Sequence, residues 1–221
     1  MCGRFSLATE LTRLMEKFQF IFADNISPRY NIAPSQPVLA IVHGKNGRTG
    51  KSMRWGLVPF WAKDIRIGYK MINARAETLA AKPAYKYPFR KQRCLIPADG
   101  FYEWKRLGER KQPYRFQLKN GEPFVFAGLW DRWKHGNETL VSCTIITVEP
   151  NSLARKVHNR MPLILPEDAW ELWLHPDTDP DYLQSLFLPY PEKEMEAYPV
   201  SPLVNSPRND DPSLKEPVDL S

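Results

Sequence analysis

Residues 112–148, QPYRFQLKNGEPFVFAGLWDRWKHGNETLVSCTIITV, decide the fold class. Residues 112–118 alternate apolar and polar side chains, the period of a half-buried strand, and residues 123–130 and 140–148 are apolar runs of strand length. Lys119-Asn120-Gly121 and His135-Gly136-Asn137 supply the residues that tight hairpin turns require.

The same grammar extends upstream. Residues 38–42 read as a buried strand, Gly44-Lys45-Asn46-Gly47 as a hairpin turn and residues 53–58 as the returning strand. Residues 94–96 form a short apolar strand. The chain then turns at Asp99-Gly100, and Glu103 falls on the opposite strand face from Tyr102 and Trp104. Helical signals are few and short. Leu11, Leu14, Met15, Phe18 and Phe22 recur at steps of three and four, which predicts a helix over residues 10–22 with Thr9 as its N-cap. Residues 77–87 read as a helix interrupted at Pro83, and residues 151–157 as one or two helical turns. Residues 163–165 read as a strand, and Pro166-Glu167-Asp168 caps a helix through residue 174. Twenty-one prolines among 221 residues favour turns and strand edges over long helices. By composition alone, residues 189–221 are a loosely attached polar tail. Many strands with a few short helices predict a single α+β domain.

Composition excludes several classes. No run is apolar enough to span a bilayer, and the basic-then-apolar pattern of a signal peptide is missing, so a cytoplasmic protein is expected. Cys2, Cys94 and Cys143 are widely spaced without a C-x-x-C, and His43, His135, His158 and His175 are scattered. Neither a disulfide framework, a metal site nor a cofactor is expected. The formal charge of +6 points toward a polyanionic partner.

The chain opens Met1-Cys2-Gly3-Arg4. Removing Met1 would give Cys2 an amine and a thiol on adjacent carbons, a pair that condenses with an aldehyde to an imine and then closes a thiazolidine ring. An α-amine of pKa about 7.7–8.0 is partly neutral near pH 7, and Arg4 is a candidate cation to lower the thiol's pKa. The plainer reading is a frayed terminus. Proton shuttling would need further groups. Glu103, between aromatics, is a candidate for a desolvated carboxyl with a raised pKa, or else a solvent-facing strand residue. His158 titrates near neutrality, or serves structure alone. Asn73 and Arg75 share a face if residues 72–76 are a strand. Trp61 leads into a basic stretch, residues 63–70, which reads either as a strand-binding surface or as a solvated loop.

Taken together, Met1-Cys2-Gly3-Arg4-Phe5, Arg29-Tyr30-Asn31-Ile32-Ala33-Pro34, Trp55-Gly56-Leu57-Val58-Pro59, Ile72-Asn73-Ala74-Arg75-Ala76-Glu77-Thr78, Ala98-Asp99-Gly100-Phe101-Tyr102-Glu103-Trp104 and Val157-His158-Asn159-Arg160-Met161-Pro162 closely resemble, in order, the SRAP (SOS response-associated peptidase) family of abasic-site processing proteins. The resemblance implies an α+β domain of bifurcated antiparallel sheets folded into a pseudo-barrel. It spans residues 2–221 after loss of Met1, with residues 197–218 ordered against the core. It further implies a sensor and shield of abasic sites in single-stranded DNA, acting as a monomer and forming a thiazolidine crosslink through Cys2. Asn73 would position Cys2, and Glu103 and His158 would handle protons. Arg4, Arg75 and Arg160 would hold phosphates, with Trp61 near a strand-to-duplex junction; Ala62 stands where some relatives carry a second tryptophan. Two other readings stay open: an N-terminal-nucleophile cysteine peptidase or amidase, which includes removal of its own Met1, and a non-covalent DNA-binding module.

Overall fold

The strands expected from residues 112–148 sit at the centre of the computed structural model, which describes residues 2–220. The expected removal of Met1, and Ser221 at the far end of the expected domain, lie outside the described residues. In chain order the strands are β1 (Arg4–Leu7), β2 (Phe20–Ile21), β3 (Arg29–Ile32), β4 (Pro37–Gly44), β5 (Gly47–Trp55), β6 (Asn73–Arg75), β7 (Arg93–Ala98), β8 (Gly100–Leu107), β9 (Arg110–Leu118), β10 (Phe124–His135), β11 (Glu138–Val148), β12 (Met161–Pro162) and β13 (Met195–Pro199). Short helices flank them: α1 (Leu11–Phe18), α2 (Pro83–Lys91), α3 (Ser152–Arg155), α4 (Trp170–Leu174) and α5 (Pro180–Ser185).

Strands β11, β10, β7, β4 and β5 follow one another as antiparallel neighbours. The ring closes where β5 turns parallel to β11, pairing Arg54 with Ser142 and Trp55 with Cys143. A second antiparallel sheet runs β13-β9-β8-β1-β3. This is the expected α+β arrangement of a barrel with a second sheet folded against it.

The chain changes sheets between β7 and β8, and Asp99 holds that corner. Its carboxylate accepts from the Ser6 hydroxyl at 2.5 Å, from the amides of Ala8 at 2.6 Å and Thr9 at 3.2 Å, and from Arg115 at 3.3 Å. Both the Arg115 and Asp99 side chains are nearly inaccessible, so each charge needs the other. Between the sheets lies an aromatic core. Phe5 meets Trp55 and Phe126 edge-on at 5.1 and 5.7 Å, and Phe101 stacks on Phe116 at 4.9 Å. Burial of each ring contributes roughly 1.5–3 kcal/mol, and each favourable pair about 0.5–1.5 kcal/mol more.

Three local expectations are corrected. The helix predicted over residues 10–22 stops at Phe18, because Gln19 turns left-handed (φ 50°) and Phe20–Ile21 pairs with β5. Its N-cap is Glu10 rather than Thr9, since the Thr9 amide and hydroxyl face Asp99. Pro83 begins α2 instead of interrupting a helix, as a residue without an N–H suits a first turn.

Residues 189–220 show why composition misleads. β13 adds to β9, and Val200, Val204 and Leu214 are fully buried beside Tyr102. The prolines start short 3-10 turns, Pro202–Asn205 and Pro212–Lys215, capped by the Ser201 and Asp211 side chains. Among the described residues no helix is long and apolar enough to cross a membrane.

Candidate active site

Four separated segments converge beside β1. Cys2 precedes this strand and is fully buried, with its thiol directed at the Arg4 carbonyl at 3.7 Å. β6 lies parallel to β11, with Asn73 opposite Ile145, and this fixes Asn73 against the chain start. The Asn73 amide donates to the Cys2 carbonyl at 2.8 Å. Its Oδ1 is buried and has no hydrogen-bond donor among the described residues. Such an acceptor is costly unless a donor arrives.

β8 supplies Glu103, which is only 3% exposed. Burial is the chief cause that raises its carboxyl from the ordinary 4.5 to about 7. The Cys2 thiol is pushed well above its usual value, first by burial and then by the nearby Glu103 charge. This corrects the expectation that Arg4 lowers it. The Arg4 guanidinium is turned away, donating to Asn31 at 2.8 Å and to the carbonyls of Val204 and Asn205 at 2.5 and 3.1 Å. It also lies over the Trp104 ring, 5.9 Å from the centroid.

His158 follows α3 in a tight turn. Its Nδ1 is 3.1 Å from the Arg160 amide and 3.3 Å from the Arg160 carbonyl. The neutral ring can therefore accept from the amide, and the protonated ring can donate to the carbonyl. Partial burial lowers its pKa, so the neutral form dominates at pH 7.

Arg160 is buried, and its expected place on a phosphate does not follow from its contacts. It grips both oxygens of Glu77 at 2.8 and 3.0 Å, Glu149 at 2.9 Å and the Thr147 carbonyl at 2.6 Å. These bonds tie the His158 turn to β11 and to the segment that carries Asn73. Arg75 stands exposed at the end of β6, and no hydrogen bond of its side chain is found among the described residues. Trp61 is 46% exposed on the loop that follows β5. That loop is held by its backbone: Val58 on Ser142 at 2.8 Å, Phe60 on Asp131 at 2.8 Å and Ala62 on Trp133 at 2.7 Å. Gly56 makes the approach possible, because its φ is +125° and a side chain there would sit 2.6 Å from the Gly68 carbonyl.

In front of the cluster opens a cleft of about 610 Å³ lined by Arg4, Glu103, Trp104, Arg106, Lys111, His158 and Asn205. Sequence reasoning missed Trp104, Arg106, Lys111 and Asn205. The alternation of β8 carried the signal for Trp104 and Arg106, which share a face two residues apart. Asn205 belongs to the stretch Val204-Asn205-Ser206, which resembles the family, but no local pattern ties it to the site; folding brings it to Trp104, whose indole donates to it at 2.7 Å.

The comparisons with known proteins bear on the whole chain. Residues 1–207 match the model of the family described as SOS response associated peptidase (SRAP). The chain belongs to the SRAP family. Among SRAP relatives, the abasic site processing protein YoqW of Bacillus subtilis is 54% identical, covering 98% of this chain and 99% of its own. The abasic site processing protein HMCES of Xenopus tropicalis is 35% identical over 90% of this chain and 69% of its own. A crystal structure of a protein from Bacteroides thetaiotaomicron superposes with a TM-score of 0.90 at 27% identity, covering 98% of this chain and all of that one.

Proposed function

We propose that this chain processes abasic sites in single-stranded DNA, including those at junctions with duplex, by capturing the ring-opened sugar aldehyde on Cys2 once Met1 has been removed. The observation that carries the reading is Cys2 anchored by Asn73 beside a carboxyl whose pKa lies at about 7. Relatives named for abasic site processing support it across nearly the full chain.

The chemistry closes with one water lost. The Cys2 amine adds to the aldehyde carbon to form a carbinolamine, and protonation of its hydroxyl releases water and leaves an imine. The thiol sulfur then bonds to the same carbon while its proton ends on the former imine nitrogen, which completes the thiazolidine. Tethering makes the second addition intramolecular, with the orientation advantage that brings. Near pH 7, Glu103 is close to half-protonated, so it can give a proton to the departing hydroxyl and take one from the attacking amine. His158, neutral and fixed through Nδ1, offers a second proton relay on the cleft side. Asn73 holds the Cys2 carbonyl, and its Oδ1 is an acceptor for the N–H of the new amine.

Arg75 is assigned to phosphate and Trp61 to a junction. Arg4 and Arg160 are assigned to positioning, which matches their internal bonds. Peptide hydrolysis gains less support, since a thiol held above its ordinary pKa is a poor source of the thiolate a cysteine peptidase uses.

The test mixes Met1-processed protein with a single-stranded oligonucleotide bearing one abasic site, followed by intact-mass measurement. The expected product weighs the sum of the two less one water and survives heating without borohydride. Cys2→Ser should lose the heat-stable product, because a hydroxyl closes only a labile oxazolidine. Absence of an adduct with the processed wild type would refute the proposal.

A further inference from the structure

Every cation that motif reading places at this site, apart from the exposed Arg75, is engaged internally: Arg4 by carbonyls near residue 204 and Arg160 by two carboxylates. The cleft nonetheless has unspent positive charge, and it lies on the β8–β9 hairpin. Arg106 and Lys111 both line the cleft and face each other as cross-strand partners. Both are exposed, and neither joins an ion pair among the described residues.

Two like charges directly opposite one another destabilise a hairpin. Glu109, the carboxylate of the connecting turn, makes no ion pair with either among the described residues. The pair therefore concentrates positive potential over the cleft mouth, where Glu103 is the one carboxyl among the lining residues and neither cation is ion-paired with it among the described residues. Trp104 stands on the same face of β8, two residues before Arg106, so an aromatic ring leads directly into the charge. Along the strand, Arg106 is three residues beyond Glu103, about 10 Å at a rise of roughly 3.3 Å per residue. That distance corresponds to about three stacked nucleotides at a rise of about 3.4 Å each.

We propose that the Arg106–Lys111 pair is the backbone-phosphate contact for the DNA strand leaving the Cys2 centre, about three nucleotides or fewer from the lesion. This rests on the functional reading above and adds to it the direction in which the strand runs: from Glu103, past Trp104, toward the hairpin tip.

The experiment measures binding of a single-stranded oligonucleotide carrying a tetrahydrofuran abasic analogue, which cannot form the adduct, across a salt series. It compares wild type, Arg106→Ala/Lys111→Ala and a charge-matched control, Lys45→Ala/Lys119→Ala, whose residues are exposed on other turns. Loss of two phosphate contacts should lower the slope of log K against log salt by about 1.4, at about 0.7 per contact for single strands. The control should leave the slope at its wild-type value. A slope in the hairpin variant equal to that of the control overturns the proposal, even if the wild type binds and crosslinks normally. Failure of the wild type both to bind the analogue and to crosslink a true abasic site would overturn the functional reading and this inference together.

Discussion

Replacing Glu103 by Gln isolates the energetic consequence of putting a carboxyl at the centre of β8. With its pKa raised from 4.5 to about 7, the native state holds this proton more tightly than the unfolded chain does. The sign follows from that order. The stabilisation from the bound proton is fully present below the unfolded value of 4.5, and it is lost as pH rises through the folded value of about 7. At 1.36 kcal/mol per unit of pKa, the whole excursion is about 3 kcal/mol. Gln cannot titrate, so the stability of Glu103→Gln minus that of wild type should rise by about 3 kcal/mol between pH 4 and pH 8, whatever constant offset the amide introduces. Urea denaturation of both proteins at four or five pH values reads this double difference directly. The crosslinking rate of the wild type should show an inflection near pH 7 that the Gln variant lacks. A stability difference that stays flat from pH 4 to pH 8 would refute the assignment of a raised carboxyl.

Asn73→Ala should slow crosslinking by about tenfold or more while costing only about 1 kcal/mol of stability, the net worth of one hydrogen bond, since it releases the Cys2 carbonyl; single-turnover kinetics and thermal melts separate the two effects. Arg160→Met should destabilise the fold by about 1–3 kcal/mol, a figure reduced because Glu77 and Glu149 are half-exposed or more. It should also move the His158 titration measured by NMR, an effect that a loss of phosphate contact would not produce.

Strand content was legible in the sequence because alternation and hairpin residues are local signals, and residues 112–148 needed nothing else. Barrel closure was expected only through the family resemblance, for it depends on Trp55 meeting Cys143 in parallel between strands far apart in sequence, and no local pattern encodes that register. The end of α1 at Phe18 was hidden by Phe22, which continues the helical spacing but follows a left-handed Gln19. For the site, residue types could be read and allegiances could not. Arg160 beside His158 looks available for a phosphate until folding delivers Glu77 and Glu149, which claim its guanidinium. Glu103 was legible as a carboxyl set among aromatic residues in an apolar strand, and the strand is indeed buried at that position. The residues of the hairpin mouth went unread for the opposite reason: a surface Arg and Lys on a polar turn look ordinary until their pairing is known.

The grip on Arg4 by the Val204 and Asn205 carbonyls joins positions 200 and 201 residues apart. On the ribosome, Arg4 is made 200 residues before the Val204 carbonyl that fixes it. The segment around Arg4 therefore waits for its lock while those 200 residues are synthesised, and the cleft gains its Asn205 wall only after residue 205 is made.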